Sequence, residues 1–291
     1  MIIISHEQKR KLYLEKIKQL RLIDDTFFNS CFDGSIPCME VLLRAVMGND
    51  RLRVTEVITQ QNAPNLYGRS VRFDALATDG KTIYDVEIQR NDEGALPRRA
   101  RYNSSMVDAR EVSKGTPFRA LPEAYVIFIT EHDIWKRGRP LYTVRRTFMD
   151  TQNVFEDGTH ILYVNGEAQN ESPLGRLMHD FFCTEPDDMY SSILAERVRF
   201  FKEDKKGVTA MCKIMDEIYK DGIAIGEARG EARGEARGEA RGETRGILRG
   251  AETERLKNIK SLVQRMGITA EAAMDALGIA KDEQSKYLAL L

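Results

Sequence analysis

The stretch VRFDALATDGKTIYDVEIQR, Val71 to Arg90, decides how the chain is read. Taken as two strands, Val71 to Thr78 and Lys81 to Arg90, it alternates. Val71, Phe73, Ala75 and Ala77 fall on one face, and Arg72, Asp74 and Thr78 on the other. In the second run Tyr84, Val86 and Ile88 form the apolar side, and Asp85, Glu87 and Gln89 the polar side. Asp79-Gly80 between them is a hairpin dipeptide. A two-residue turn sets Asp74 opposite Asp85 and diagonal to Glu87, whereas a four-residue loop from Asp79 to Thr82 sets Asp74 opposite Glu87. Both registers gather Asp74, Asp85, Glu87 and Gln89 on one face; a three-residue loop would part the acids. Crowded carboxylates repel unless a cation lies between them, so the hairpin is a candidate site for a hard divalent metal.

Upstream, residues 6–23 read as an amphipathic helix, and Pro37 to Met47 as a second helix apolar enough to pack on a sheet. Within the latter, Glu40 and Arg44 stand at i,i+4: either a surface ion pair, or Glu40 turns inward as an extra metal or water contact. Arg53 to Gln61 reads as a first strand. Downstream, Pro97 opens a helix to about Val112 whose start is basic: Arg98, Arg99 and Arg101, with Tyr102 beside them and Arg90 just before the loop. Ala124 to Thr130 is a continuous apolar run, expected of a strand covered on both faces. Tyr142 to Phe148 and His160 to Val164 follow as strands. These elements predict an α/β domain over 1–168.

From Pro173 the pattern is helical, predicting a helical extension over 169–221 docked on that domain. Gly-Glu-Ala-Arg then repeats from Gly226 to Gly238, with degenerate copies at Gly242 and Gly246. Glycine at every fourth position costs a helix about 1 kcal/mol each. The segment 222–250 therefore reads as a linker or marginal helix, the alternative being a helix that self-associates in coiled-coil fashion. The tail, 251–291, reads as three short helices, Glu252–Met266, Thr269–Leu277 and Lys281–Leu290, suited to oligomerisation or docking. Its last helix lacks an arginine or asparagine face for base edges.

The net charge of −1 excludes a chain that binds nucleic acid or anionic membrane through its overall charge, so any such contact needs a local basic surface. The four cysteines, Cys31, Cys38, Cys183 and Cys212, form no CxxC pair, which argues for reduced thiols rather than zinc or a disulfide framework. Met1-Ile-Ile-Ile is too short for a signal peptide and no apolar run spans a membrane, so the expected compartment is the cytoplasm.

Asp74, then Glu87-x-Gln89 on the next strand, then a basic helix, resembles the PD-(D/E)XK nuclease superfamily, in the branch of recombination-promoting nucleases and transposases. The resemblance covers roughly 25–220 and rests on GRSVRFDALATDG, YDVEIQR, RRARYNSSMVD, LPEAYVIFITE, DGTHILYVNG and LMHDFFCTEPDDMY. It implies a restriction-endonuclease-like αβββαβ core carrying a C-terminal helical extension and repeat tail. It further implies Asp74 and Glu87 as metal-binding acids completed by the backbone carbonyl of Ile88, with Glu40 matching an acid that some members carry on the first helix. Gln89 stands at the superfamily's lysine position. A lysine would stabilise developing charge, whereas glutamine can only orient a water.

The activity so implied is Mg2+-dependent hydrolysis of DNA phosphodiesters, with Mn2+ as a substitute ion, Gln89 positioning the water and Arg98, Arg101, Arg99 and Tyr102 holding phosphate or backbone. In this reading Asp85 pairs with one of the arginines. Two other readings compete with the deoxyribonuclease. One is a catalytically weak or inactive DNA-binding or regulatory module on a nuclease fold. The other is an assembly protein that forms homo-oligomers through its repeat and tail.

Overall fold

Ser5 caps helix α1 (His6–Gln19): its hydroxyl accepts from the Gln8 N–H at 3.2 Å while the Gln8 side chain accepts from the Ser5 N–H at 3.0 Å. The computed structural model describes residues 5–65 and 68–291. The single helix expected over 6–23 stops at Leu20. Asp24 Oδ2 accepts from the Arg21 N–H at 2.8 Å, closing a turn, and a separate helix α2 (Asp25–Phe32) begins. Helix α3 (Ile36–Met47) follows and ends on Gly48, whose φ of 60° is left-handed.

The strands are β1 (Glu56–Ala63), β2 (Val71–Thr78), β3 (Thr82–Gln89), β4 (Glu123–Thr130), β5 (Leu141–Val144) and β6 (Thr159–Asn165), with helix α4 (Pro97–Glu111) between β3 and β4. They form one open mixed sheet in the order β1-β2-β3-β4-β6-β5. The first three strands pair antiparallel, β3 runs parallel to β4 and β4 to β6, and β5 returns antiparallel along β6. The parallel step β3–β4 is made through α4, as a parallel crossover requires.

Both faces are covered. On one, Ala75, Ala77, Tyr84, Val86, Ile88, Ile127, Ile129, Leu162 and Val164 pack with α1 to α3, with α5 (Pro173–Phe182) and α6 (Ser192–Glu203), and with Met211 of α7 (Lys205–Met266). On the other, α4 brings Met106 and Val107 onto Phe73 and Leu76, and Ala100 onto Val126 and Phe128. Helices α5 and α6 and the start of α7 thus share the apolar core of the sheet.

Two units divide the chain, Met1–Asp216 and Glu217–Leu291. In the second, the end of α7 packs with α8 (Ala270–Ala276) and α9 (Lys281–Leu288) around Ile259, Ala273, Met274, Ile279 and Tyr287. The Gly-Glu-Ala-Arg repeat lies inside α7, helical and exposed along its length. Among the described residues no helix is long and apolar enough to cross a membrane.

Candidate functional site

The turn settles the register. Asp79 accepts from the Lys81 and Thr82 N–H groups at 2.9 and 2.8 Å, Gly80 supplies a φ of 92°, and Thr78 pairs with Ile83. This is the four-residue loop, and the pairs Ala75↔Val86 and Leu76↔Asp85 carry the register on to Asp74 opposite Glu87.

At Asp74 the strict alternation of the sequence reading fails. Phe73 lies with Leu76 against α4, while Ala75 and Ala77 face the other core. Pairing with β1 passes from Thr59↔Ala75 to Gln61↔Phe73, and Gln60 between them has a φ of 52°, so the strands are kinked at this point. The ladder to β3 is replaced here by side chains. Asp74 Oδ2 accepts from the Ile88 N–H at 3.0 Å, and Glu87 Oε1 accepts from the Asp74 N–H at 3.4 Å.

Helix α4 closes over the acids. Arg99 pairs with Glu87, and Asn103 Nδ2 donates to Asp85 Oδ2 at 3.1 Å. The match is geometric: four helical residues rise about 6 Å, two strand residues about 6.6 Å, so side chains at i and i+4 of α4 meet those at i and i+2 of β3. Asp85 therefore pairs with Asn103 and not, as expected, with an arginine. Asp85 and Glu87 are 0% exposed and Asp74 9%.

Three buried carboxyls thus face one guanidinium, and all three are shifted up. Burial, then Glu87 and Asp25, pushes Asp74 up to about 8. Burial and Glu87 hold Asp85 well above the carboxylate range. Glu87 is raised by burial, against the pull of Arg99. Asp85 Oδ1 meets no donor among the described residues, which leaves a buried oxygen unsatisfied beside Glu87. A hard dication suits this all-oxygen set.

Glu40 is not part of the site. It pairs with Arg44 and Arg53 and accepts from the Val54 N–H at 3.2 Å, which is the ion-pair alternative. The helix acid that does reach Asp74 and Glu87 electrostatically is Asp25, at the start of α2, a helix the sequence reading did not name. Its signal was present: an acid just before Phe27, Phe28, Cys31 and Phe32, spaced as one buried helix face.

The remaining residues divide. Ile88 is buried, its N–H taken by Asp74. Gln89 is half-buried, its amide packed on Gly94 of the turn before α4. Arg99 also donates to the Gly94 carbonyl at 2.9 Å and lies over the Phe128 ring. Arg90 is paired with Glu131 at 2.8 Å and Asp24 at 2.7 Å. The Tyr102 hydroxyl donates to the Arg69 carbonyl and accepts from Asn65 Nδ2. Arg98 and Arg101 are exposed, with no ion pair among the described residues. Two clefts of about 320 Å³, one between α3 and α5 and one beside the hairpin turn, are not lined by these acids.

Set against known proteins, the chain matches no family model, no curated protein and no solved structure. The site itself consists of a pair of acids opposed where the strand ladder is broken, a third acid beneath a helix, and one arginine to balance them.

Proposed function

We infer that the chain is a Mg2+-dependent deoxyribonuclease of the PD-(D/E)XK kind, held by Asp74 and Glu87 with Gln89 beside them. The observation that carries this reading is the facing of Asp74 and Glu87 where the sheet ladder is broken. Burying three acids against one base disfavours the ion-free charged state, and a bound cation lifts that penalty while leaving the acids ionised. The finer fold reading belongs to the same proposal: a helix, three antiparallel strands, the helix α4 and the parallel β4 follow the order of an αβββαβ core. A cytoplasmic place is part of it too.

In this reading Asp74, Glu87 and the Ile88 carbonyl hold Mg2+ or Mn2+. Asp25 stands where a helix acid would add to them, in place of Glu40. The ion, when bound, neutralises phosphate oxygens and acidifies a water. Gln89 orients that water by hydrogen bonds through its amide, and Arg98 and Arg101, three residues apart on one helix, grip the phosphates. Arg99 and Tyr102, already engaged within the fold, act on the geometry of the site before they act on DNA.

A second reading has its own support. Glu87 is 0% exposed beneath Arg99, and glutamine replaces the superfamily lysine, which suits a weak nuclease or a DNA-binding module. Incubation of supercoiled plasmid with the full chain separates the two. Nicking with Mg2+, stopped by EDTA and lost in Glu87→Gln, supports the enzyme; equal nicking by wild type and variant removes it. Retention of DNA without cleavage, lost on Arg98→Ala with Arg101→Ala, supports the module.

Gly94 provides a check on Gln89. A Cβ there would lie 1.8 Å from Gln89 Oε1, the mobile end of a side chain, so Gly94→Ala displaces the amide while leaving the backbone in place. The expected result is nicking reduced by about tenfold or more with stability changed by less than about 1 kcal/mol. Unchanged nicking would mean that the Gln89 amide plays no part in positioning water.

A further inference from the structure

The last turn of α5 gathers donors that the acid site does not use. His179, Asp180 and Cys183 each bring one ligand atom, and these atoms lie within 4.8 Å of one another. His179 Nδ1 is 3.4 Å from Cys183 Sγ and 3.4 Å from Asp180 Oδ1. Around a tetrahedral ion with bonds of about 2.0–2.1 Å to nitrogen or oxygen and about 2.3 Å to sulfur, such edges come to roughly 3.4–3.5 Å. The two edges that meet at His179 already stand at that separation, and the third lies within 4.8 Å.

The surroundings fix them. Residues 179 and 183 are one helical turn apart and share a face. Asp180 is buried, and its two oxygens accept from the N–H groups of Tyr190 at 2.7 Å and Ser191 at 2.8 Å, just before α6. A carboxylate held in this way is oriented as metal-ligating carboxylates are. The His179 ring meets Tyr190 edge to face at 4.8 Å and keeps 36% of its side chain in solvent. Cys183 Sγ lies closer to His179 Nδ1, at 3.4 Å, than to the Asp188 carbonyl, at 3.8 Å.

We propose that His179, Asp180 and Cys183 bind one divalent cation of the zinc class, clasping the end of α5 to the start of α6. The mixed nitrogen, oxygen and sulfur set selects a borderline-soft ion; magnesium, which demands oxygen ligands, is excluded. The thiol proton leaves to solvent on binding, and the exposed side of the imidazole leaves the fourth position to water. This site shares no residue with the acids of the sheet and does not depend on the nuclease reading.

The test is titration of the EDTA-treated full chain with Co2+. One equivalent is expected to bring up the thiolate-to-cobalt charge-transfer band and the strong visible bands of a tetrahedral ion, displaced by Zn2+ and unaffected by excess Mg2+. Cys183→Ser abolishes the charge-transfer band, His179→Gln weakens binding at least about tenfold, and Cys212→Ser changes neither. His179→Gln, at a half-exposed position, keeps the test valid if Cys183→Ser fails to fold by circular dichroism. The absence of a band, or a band that survives Cys183→Ser, or displacement by Mg2+, overturns the proposal. In that event the cluster serves only as the hydrogen-bonded cap of α6.

Discussion

Asp74→Asn is expected to lose plasmid nicking by at least about a thousandfold, about 4 kcal/mol of transition-state stabilisation, and to become more stable than wild type at pH 8. The two effects share one cause. In the unfolded chain the Asp74 carboxyl loses its proton near 3.8 and in the folded chain near 8. Between those values the folded chain holds a proton that unfolding releases, so raising the pH favours unfolding, by up to about 1.4 kcal/mol per unit. Stability that is full below the ordinary carboxylate range is lost progressively as the pH climbs to about 8. Asparagine cannot ionise, yet its oxygen still accepts from the Ile88 N–H. Thermal stability in EDTA from about pH 5 to about pH 8 should fall more steeply for wild type than for the variant, in which Asp85 and Glu87 still lose stability as the pH rises. Parallel curves would show that the carboxyl is not strained by burial, and the electrostatic case for a cation would go with it.

Arg99→Ala is expected to destabilise the ion-free chain and to be rescued by magnesium. Arg99 is the only base paired with the buried Glu87 among the described residues. Removing one partner of a buried pair costs about 3–5 kcal/mol. The cost here falls below that range, to about 2–3 kcal/mol, because 38% of the Arg99 side chain is exposed and Glu87 escapes part of the penalty by taking up a proton. If a cation and Arg99 serve the same carboxylate, millimolar Mg2+ should return the variant to within about 1 kcal/mol of wild type. The midpoint of that stabilisation should fall at a lower Mg2+ concentration than in wild type, where Arg99 competes. A variant equally unstable in EDTA and in Mg2+ would leave Arg99 as a packing residue with no bearing on ion binding.

Alternation and a turn dipeptide were enough to locate the hairpin, both of its registers and the acids between them, because strand periodicity is a local property. The choice between the registers was not local: it fell to the Asp79 side chain, which caps two N–H groups and commits the loop to four residues. Phe73 was placed on the wrong face because a kink opposite Gln60 resets the phase of β2, and no pattern within Val71–Thr78 signals it. Glu40 and Asp25 show the same limit. Both are helix acids, and only the packing of α2 beside β2 and β3 separates the one that reaches Asp74 from the one that pairs with Arg44.

The amino-acid order by itself determined that this is an α/β chain with an acidic hairpin, a basic helix after it and a four-residue repeat before its tail, since each follows from spacing along the backbone. Tertiary structure alone decided that α4 runs over β3 with Arg99 on Glu87 and Asn103 on Asp85. A carboxylate's charge depends on what buries and what faces it, and those neighbours come from segments far apart in the chain.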